Sequence, residues 1–303
     1  MWYKGIMVDL HFGFSLTPST DFAVHEDLVH AAEEGGLDLV GVQDHPYVPT
    51  FVDTFSLIAT LLARTTRLRF FPDVLTLPLR PPAMLAKTAT SLDLLSGGRL
   101  ELGIGAGGVW DAITSMGVER LTTGAALDAL EEAIQVLRAL WQPDRSVRLR
   151  GKHYTLDGAP SGPAPAHPIN IWVGAQGPRS LRLTGRIADG WAAPIPSYLH
   201  YEKWAEANAI IDEAARANGR RPEDVLRMSQ LVGTITDTEG DAEARHGAAP
   251  VRGTPDQWAR LIARLATEQP YRCFVFWPER QDVKQIERFA REVAPAARAL
   301  VNP

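Results

Sequence analysis

An α/β barrel of eight strand–helix units is the fold this sequence predicts, on three observations. Its 303 residues fall in the range where such a barrel is one domain around one core. Short strand-like runs alternate with helical patterns nearly to the C-terminus, the signature of a parallel sheet wrapped in helices. The runs can be counted to eight of each kind, as the (β/α)8 TIM barrel requires.

The first strand lies within Ile6–Leu16. There Ile6, Val8, Leu10, Phe12 and Phe14 alternate with less apolar residues, so one face meets the helical shell and the other, carrying Asp9 and His11, faces the barrel interior. Helices around Val24–Gly35, Asp53–Ala63 and Pro82–Leu95 then lead to strands at Leu37–Gln43, Leu68–Leu75 and Leu100–Ile104. In the next helix Leu127, Leu130, Ile134, Leu137 and Trp141 recur at steps of three and four before Pro143 stops it, which makes one apolar face for the barrel exterior.

From Asp144 to Pro168 the composition turns to Arg, Gly and Pro, with strand-like pieces Val147–Leu149 and His153–Leu156. This reads as a surface hairpin excursion (144–168) and not as a boundary, so residues 1–303 form a single domain. The alternation resumes with strand Ile169–Val173, helix Pro178–Arg186, strand Gly190–Ala193, helix Tyr201–Ala217 and strand Val225–Ile235. Residues 237–253 begin with an acidic, aperiodic stretch expected to be a mobile or simply solvated loop after the seventh strand. An amphipathic helix with Trp258, Leu261, Ile262 and Leu265, a strand at Tyr271–Trp277, and a last helix with Val283, Ile286, Phe289 and Val293 complete the count.

Composition excludes several classes. A 45% hydrophobic, 22% charged chain is globular, and a net charge of -5 without a basic stripe gives no footprint for nucleic acid. No run approaches the about 20 apolar residues that span a bilayer, so a cytoplasmic, membrane-free protein is expected. The lone cysteine, Cys273, sits in an apolar strand and reads as a buried structural thiol; with no His-Glu-x-x-His spacing either, no metal is expected.

Chemistry in such barrels gathers where loops leave the strands. Four places stand out. Gln43-Asp44-His45 follows an apolar run, and a carboxylate beside an imidazole suits acid–base or ring-binding work, or else a cap and a rim residue. Phe71-Pro72-Asp73-Val74-Leu75-Thr76 puts a proline and a charge near a strand end, which suits a bulge pressed against a ligand or a plain strand end. Gly103-Ile104-Gly105-Ala106-Gly107-Gly108 has the G-x-G-x-x-G form, but the second strand of a dinucleotide-binding unit is replaced by the long amphipathic helix; a cofactor-adjacent loop is the better reading. Gly174-Ala175-Gln176-Gly177 joins a strand to a helix that starts at Pro178, a natural phosphate site to which Arg179 adds charge if it points inward.

Two of these stretches carry a resemblance. Pro81–Gly107, PPAMLAKTATSLDLLSGGRLELGIGAG, and Ile171–Trp191, IWVGAQGPRSLRLTGRIADGW, are similar to the fourth-strand and phosphate-loop segments of the bacterial-luciferase-like flavin and deazaflavin oxidoreductases; Gly253-Thr254-Pro255 and Cys273–Trp277 match its last third. The resemblance implies that Asp44 and His45 border a redox ring, that the Asp73–Val74 peptide is a non-prolyl cis bulge against one ring face, and that Thr76 contacts the ring or side chain. It further implies that Gly105, Ala106 and Gly107 line the site while Gly174, Ala175, Gln176 and Gly177 bind the phosphate. The Asp-His pair, compact length and short segment after strand seven look more like the deazaflavin members than the FMN members. The expected activity is thus coenzyme F420-dependent hydride transfer to or from a small organic substrate, with His45 exchanging the proton and Asp44 orienting it. The alternatives are an FMN-dependent monooxygenase served by a separate reductase, and a flavin-binding protein without turnover. In the sugar-phosphate subgroup a glutamate acid stands where this chain has Gly108, which speaks against that substrate. A homodimer is also implied.

Overall fold

The computed structural model describes residues 8–302, and its architecture follows from strands that are buried on both faces. The barrel strands are β1 (His11–Leu16), β2 (Leu39–Val42), β3 (Arg69–Pro72, resuming at Leu75–Thr76), β4 (Leu102–Gly105), β5 (Ile171–Gly174), β6 (Gly190–Ala192), β7 (Leu226–Ile235) and β8 (Cys273–Pro278). Every neighbouring pair is parallel, and β8 returns to β1 through His11 opposite Cys273. Between β3 and β4 the ring closes by a bridge from Phe70 to Leu100 and by Leu75–Thr76 lying beside Ile104–Gly105.

The strand period of two sorts side chains between two cores. Phe12, Phe14, Val40, Val42, Phe70, Leu102 and Ile104 point outward into the main core beneath the helices. Leu39, Phe71, Trp172, Ala192, Met228, Cys273 and Val275 plug the barrel interior, where the Phe71 and Trp172 rings meet edge to face at 5.0 Å. Cys273 is buried in this plug, which pushes its thiol up and leaves it inert.

Helix caps match the residues that make them. Asp21, Asp53, Thr122 and Thr254 accept from amides of the first turn, and Gly36 and Gly97 end their helices in the left-handed conformation. The helix Thr123–Leu140 buries Leu127, Leu130, Ile134 and Leu137 as its periodicity predicts.

The excursion is an antiparallel hairpin, Ser146–Arg150 with Thr155–Pro160. Its turn is pinned by the Glu132 carboxylate, which accepts from the amides of Lys152, His153 and Tyr154. Its far end is pinned by His167, whose Nδ1 lies 2.7 Å from the buried Asp93.

Three expectations change and one helix is added. β1 begins at His11; Asp9 precedes it and is exposed, and Ile6 lies outside the described residues. Residues 251–253 are not loop but a short strand, Val251–Gly253, that pairs with β7. A six-residue helix, Trp110–Ser115, follows β4. The last helix runs on to Val301 through a π segment, Phe289–Val293, because Pro295 has no amide to give the preceding turn.

Candidate functional site

At the carboxyl ends of the strands β3 is interrupted, and this interruption organises everything around it. The Asp73–Val74 peptide is cis. Its neighbours are glycines because nothing larger fits: a Cβ on Gly103 would stand 2.1 Å from the Pro72 carbonyl oxygen, and one on Gly174 would stand 2.7 Å from Val74 Cγ2. Gly105 is nearly as tight, with a Cβ 3.0 Å from the same methyl. Glycines on β2, β4 and β5 therefore form a seat for the bulge, with Gly41 completing it beside the Asp73 side chain.

Asp44 stands at the end of β2, fully buried. Its Oδ2 accepts from the Thr76 amide at 2.8 Å, and its Oδ1 accepts from Arg80 Nη2, also at 2.8 Å. The Thr76 hydroxyl donates to the Asp44 carbonyl at 2.8 Å, so the loop after β2 is stitched to the strand that carries the bulge. Arg80 spans to Asp53 at 2.6 Å, and its guanidinium lies 5.0 Å from the centre of the Phe55 ring.

The expected role of Asp44 as the orienting partner of His45 needs correction. Both Asp44 oxygens are committed to Thr76 and Arg80, whereas His45 Nδ1 lies 2.8 Å from the Tyr47 hydroxyl. Tyr47 and Phe51 flank the imidazole at ring distances of 5.6 and 6.3 Å. Burial holds His45 below the ordinary imidazole value, more strongly than the nearby Asp44 charge raises it, so the neutral ring prevails at neutral pH. Among the described residues its Nε2 makes no hydrogen bond.

Asp73 faces inward. Its Oδ1 accepts from Gln230 Nε2 at 2.8 Å across the barrel, from β3 to β7. Thr17 and Gln43 stand nearby at the ends of β1 and β2, joined at 3.0 Å, and Gln281 from the loop after β8 donates to the Ser15 carbonyl.

The two glycine-rich loops differ in character. After β5, Gly174 and Gly177 flank the buried Ala175 and the exposed Gln176. Ala175 is fixed by its carbonyl, which accepts from Trp191 Nε1 at 2.9 Å. Gly177 caps the helix Pro178–Ile187, and the Ser180 hydroxyl turns back to its amide at 3.2 Å. Arg179 does not point inward: it reaches the Gly124 carbonyl and the Asp128 carboxylate on a neighbouring helix. After β4, Gly105 faces Val74, Ala106 packs against the core, and Gly107 turns with a positive φ against Pro78 and Ile113.

Sequence reasoning missed Tyr47, Arg80 and Gln230. Only Gln230 left a signal, as a polar residue at an inward position between Met228 and Val232 of an apolar strand. The pairing of Arg80 with Asp44 joins different loops and has no local signature.

A model of the luciferase-like monooxygenase family matches residues 5–300. An uncharacterized protein of Mycobacterium tuberculosis is 37% identical over 193 residues, 57% of this chain and 65% of its own length. An F420-dependent glucose-6-phosphate dehydrogenase of Kribbella flavida is 33% identical over 254 residues, 79% of this chain and 75% of that protein. In three dimensions the chain is similar to the coenzyme F420-dependent tetrahydromethanopterin reductase of Methanopyrus kandleri, with a TM-score of 0.80 at 19% identity, covering 95% of this chain and 99% of that one. This last likeness speaks to the barrel alone.

Proposed function

The chain belongs to the luciferase-like monooxygenase family, and from that premise we propose that it is a coenzyme F420-dependent oxidoreductase acting on a small organic molecule. The observation that carries the cofactor is the 33% identity, over 79% of this chain, to a relative named as F420-dependent.

The residues fit such a group. The seat of Gly103, Gly105 and Gly174 lets the Asp73–Val74 backbone form a flat floor that side chains at those positions would fill. Gly174, Ala175, Gln176 and Gly177 lead into the amino end of a ten-residue helix, where backbone amides and the helix dipole favour a phosphate. The positive charge at this loop is the dipole's, since Arg179 is turned to Asp128.

When bound, F420 supplies a ring carbon that accepts or gives a hydride. The protein's own share is to bind, orient and move one proton. His45, neutral and with Nε2 free, accepts the proton the substrate gives up during oxidation and returns it during reduction. Tyr47 fixes the imidazole through Nδ1. Asp44, tied to Thr76 and Arg80, keeps the loops after β2 and β3 in register with each other.

Glucose 6-phosphate is not carried over from the relative's name, because Gly108 offers no acid where that subgroup has a glutamate. His45→Gln tests the proton role: turnover should fall by about 10²–10⁴-fold with F420 affinity within a factor of three. Unchanged turnover would overturn it.

A further inference from the structure

Asp73 contributes more than backbone to this site. Its side chain is buried at 6% exposure on the barrel side of the Asp73–Val74 peptide. Gln230 serves Oδ1, while Oδ2 has no hydrogen-bond partner among the described residues. Gly41 leaves the room that Oδ2 occupies, since a Cβ there would stand 2.8 Å from it. An ionised carboxylate has about four acceptor sites, and in a dry interior it needs several donors or a cation.

The titratable and charged groups facing the same interior do not provide that compensation. Towards the amino-terminal end lie His11 on β1, Arg69 on β3, Glu101 before β4, Cys273 on β8 and the carboxylates of Asp189, Glu223 and Asp224; Arg69 is already 3.1 Å from Glu101. At the carboxyl end lie Asp44, whose partner is Arg80, and His45, which pairs with Tyr47. The inward residues of β5, β6 and β7, such as Trp172, Ala192 and Met228, do not ionise. Burial accordingly raises the Asp73 carboxyl to about 7, with the Gln230 bond pulling slightly the other way.

Resting on the F420 reading above, we propose that Asp73 couples cofactor binding to a proton: its carboxyl has to be uncharged beneath the bulge before an anionic, phosphate-bearing cofactor is accepted. A buried negative charge in this water-poor floor repels the ligand with little screening. The uncharged acid presents no such field and has a proton to donate at Oδ2. A neutral amide has the same shape, so Asp73→Asn reproduces the protonated state at every pH. By linkage, the cofactor complex raises the Asp73 pKa further. Above the value of the free protein, binding draws in a proton and weakens as pH rises, up to tenfold per pH unit.

The test is calorimetric titration with F420, and with FMN in parallel, from pH 6 to 9 in two buffers of different ionisation heat. The ligand's own ionisation is common to both proteins and cancels in their ratio. The affinity of Asp73→Asn relative to wild type should rise toward tenfold per pH unit above neutral, and at pH 8 wild type should take up about one proton more than the variant. A ratio constant with pH, with binding intact, overturns the role of Asp73 and leaves the cofactor reading standing. Failure of both ligands to bind at any pH overturns that reading and this coupling together. Should Asp73→Asn not fold, Gln230→Leu decides: losing the last donor should move the inflection to higher pH, and an unmoved inflection contradicts the proposal.

Discussion

The seat beneath the bulge can be tested by crowding it and then making room again. An alanine Cβ at Gly174 would lie 2.7 Å from Val74 Cγ2 and 3.5 Å from Cγ1, against roughly 3.5–4.0 Å for a relaxed carbon pair. The backbone at Gly174 is not left-handed, so the methyl and not the dihedral angles causes the difficulty. Overpacking of this kind costs about 1–3 kcal/mol. Val74→Ala removes the offending Cγ2 together with Cγ1 at a cost of about 1–2 kcal/mol, the transfer value of two partly buried methyl groups. If the contact is the reason for glycine, Gly174→Ala in the Val74→Ala background should cost less than about 0.5 kcal/mol, a coupling of about 1–2 kcal/mol. Urea unfolding followed by tryptophan fluorescence resolves this, and in a thermal scan each kcal/mol moves the midpoint by about 2–4 °C or slightly less for a chain this long. If the two substitutions simply add, the steric account of the seat is wrong.

Two further outcomes follow from the electrostatics. His167 bridges the buried Asp93 and Glu101, and its hydrogen bond to Glu101, with the two carboxylate charges, raises its pKa above the ordinary 6.5 despite burial. The stability it contributes is therefore complete below pH 6.5 and is lost as pH rises through the folded value; His167→Asn should abolish that slope in unfolding midpoints, and an equal slope in both proteins would exclude His167 as its source. Arg179→Ala should leave F420 affinity within about twofold, because the side chain holds Asp128 outside the site; a tenfold loss on fluorescence titration would mean that it turns inward on binding.

Much of the barrel was legible because burial on two periods leaves its trace in the chain. The helix Thr123–Leu140 and strands β5 and β8 fall where the apolar spacing puts them, and the proline and charge within Phe71–Thr76 marked the interruption of β3. The glycines of Gly103–Gly108 were visible, but their division of labour was not. Gly103 and Gly105 make space for residues 72 and 74, a requirement set by a neighbouring strand. The same holds for the bonds that define the site. Gln230 reaches Asp73 across 157 positions of sequence, and Arg80 reaches Asp44 across 36. Adjacency in the chain suggested that Asp44 serves His45; the fold instead spends its oxygens on Thr76 and Arg80, because a carboxylate buried to 1% exposure needs a cation and an amide. The strand Val251–Gly253 escaped notice because it ends an acidic, aperiodic stretch and is defined by its pairing with β7.

The deazaflavin reading of this barrel turns on which cofactor it binds. Titrating the purified protein with F420 and with FMN, while following the quenching of its eight tryptophans, tests it most directly. Saturable quenching by F420 at micromolar concentrations or below, with at least tenfold weaker binding of FMN, is the expected result, while tight binding of FMN with none of F420 would contradict it.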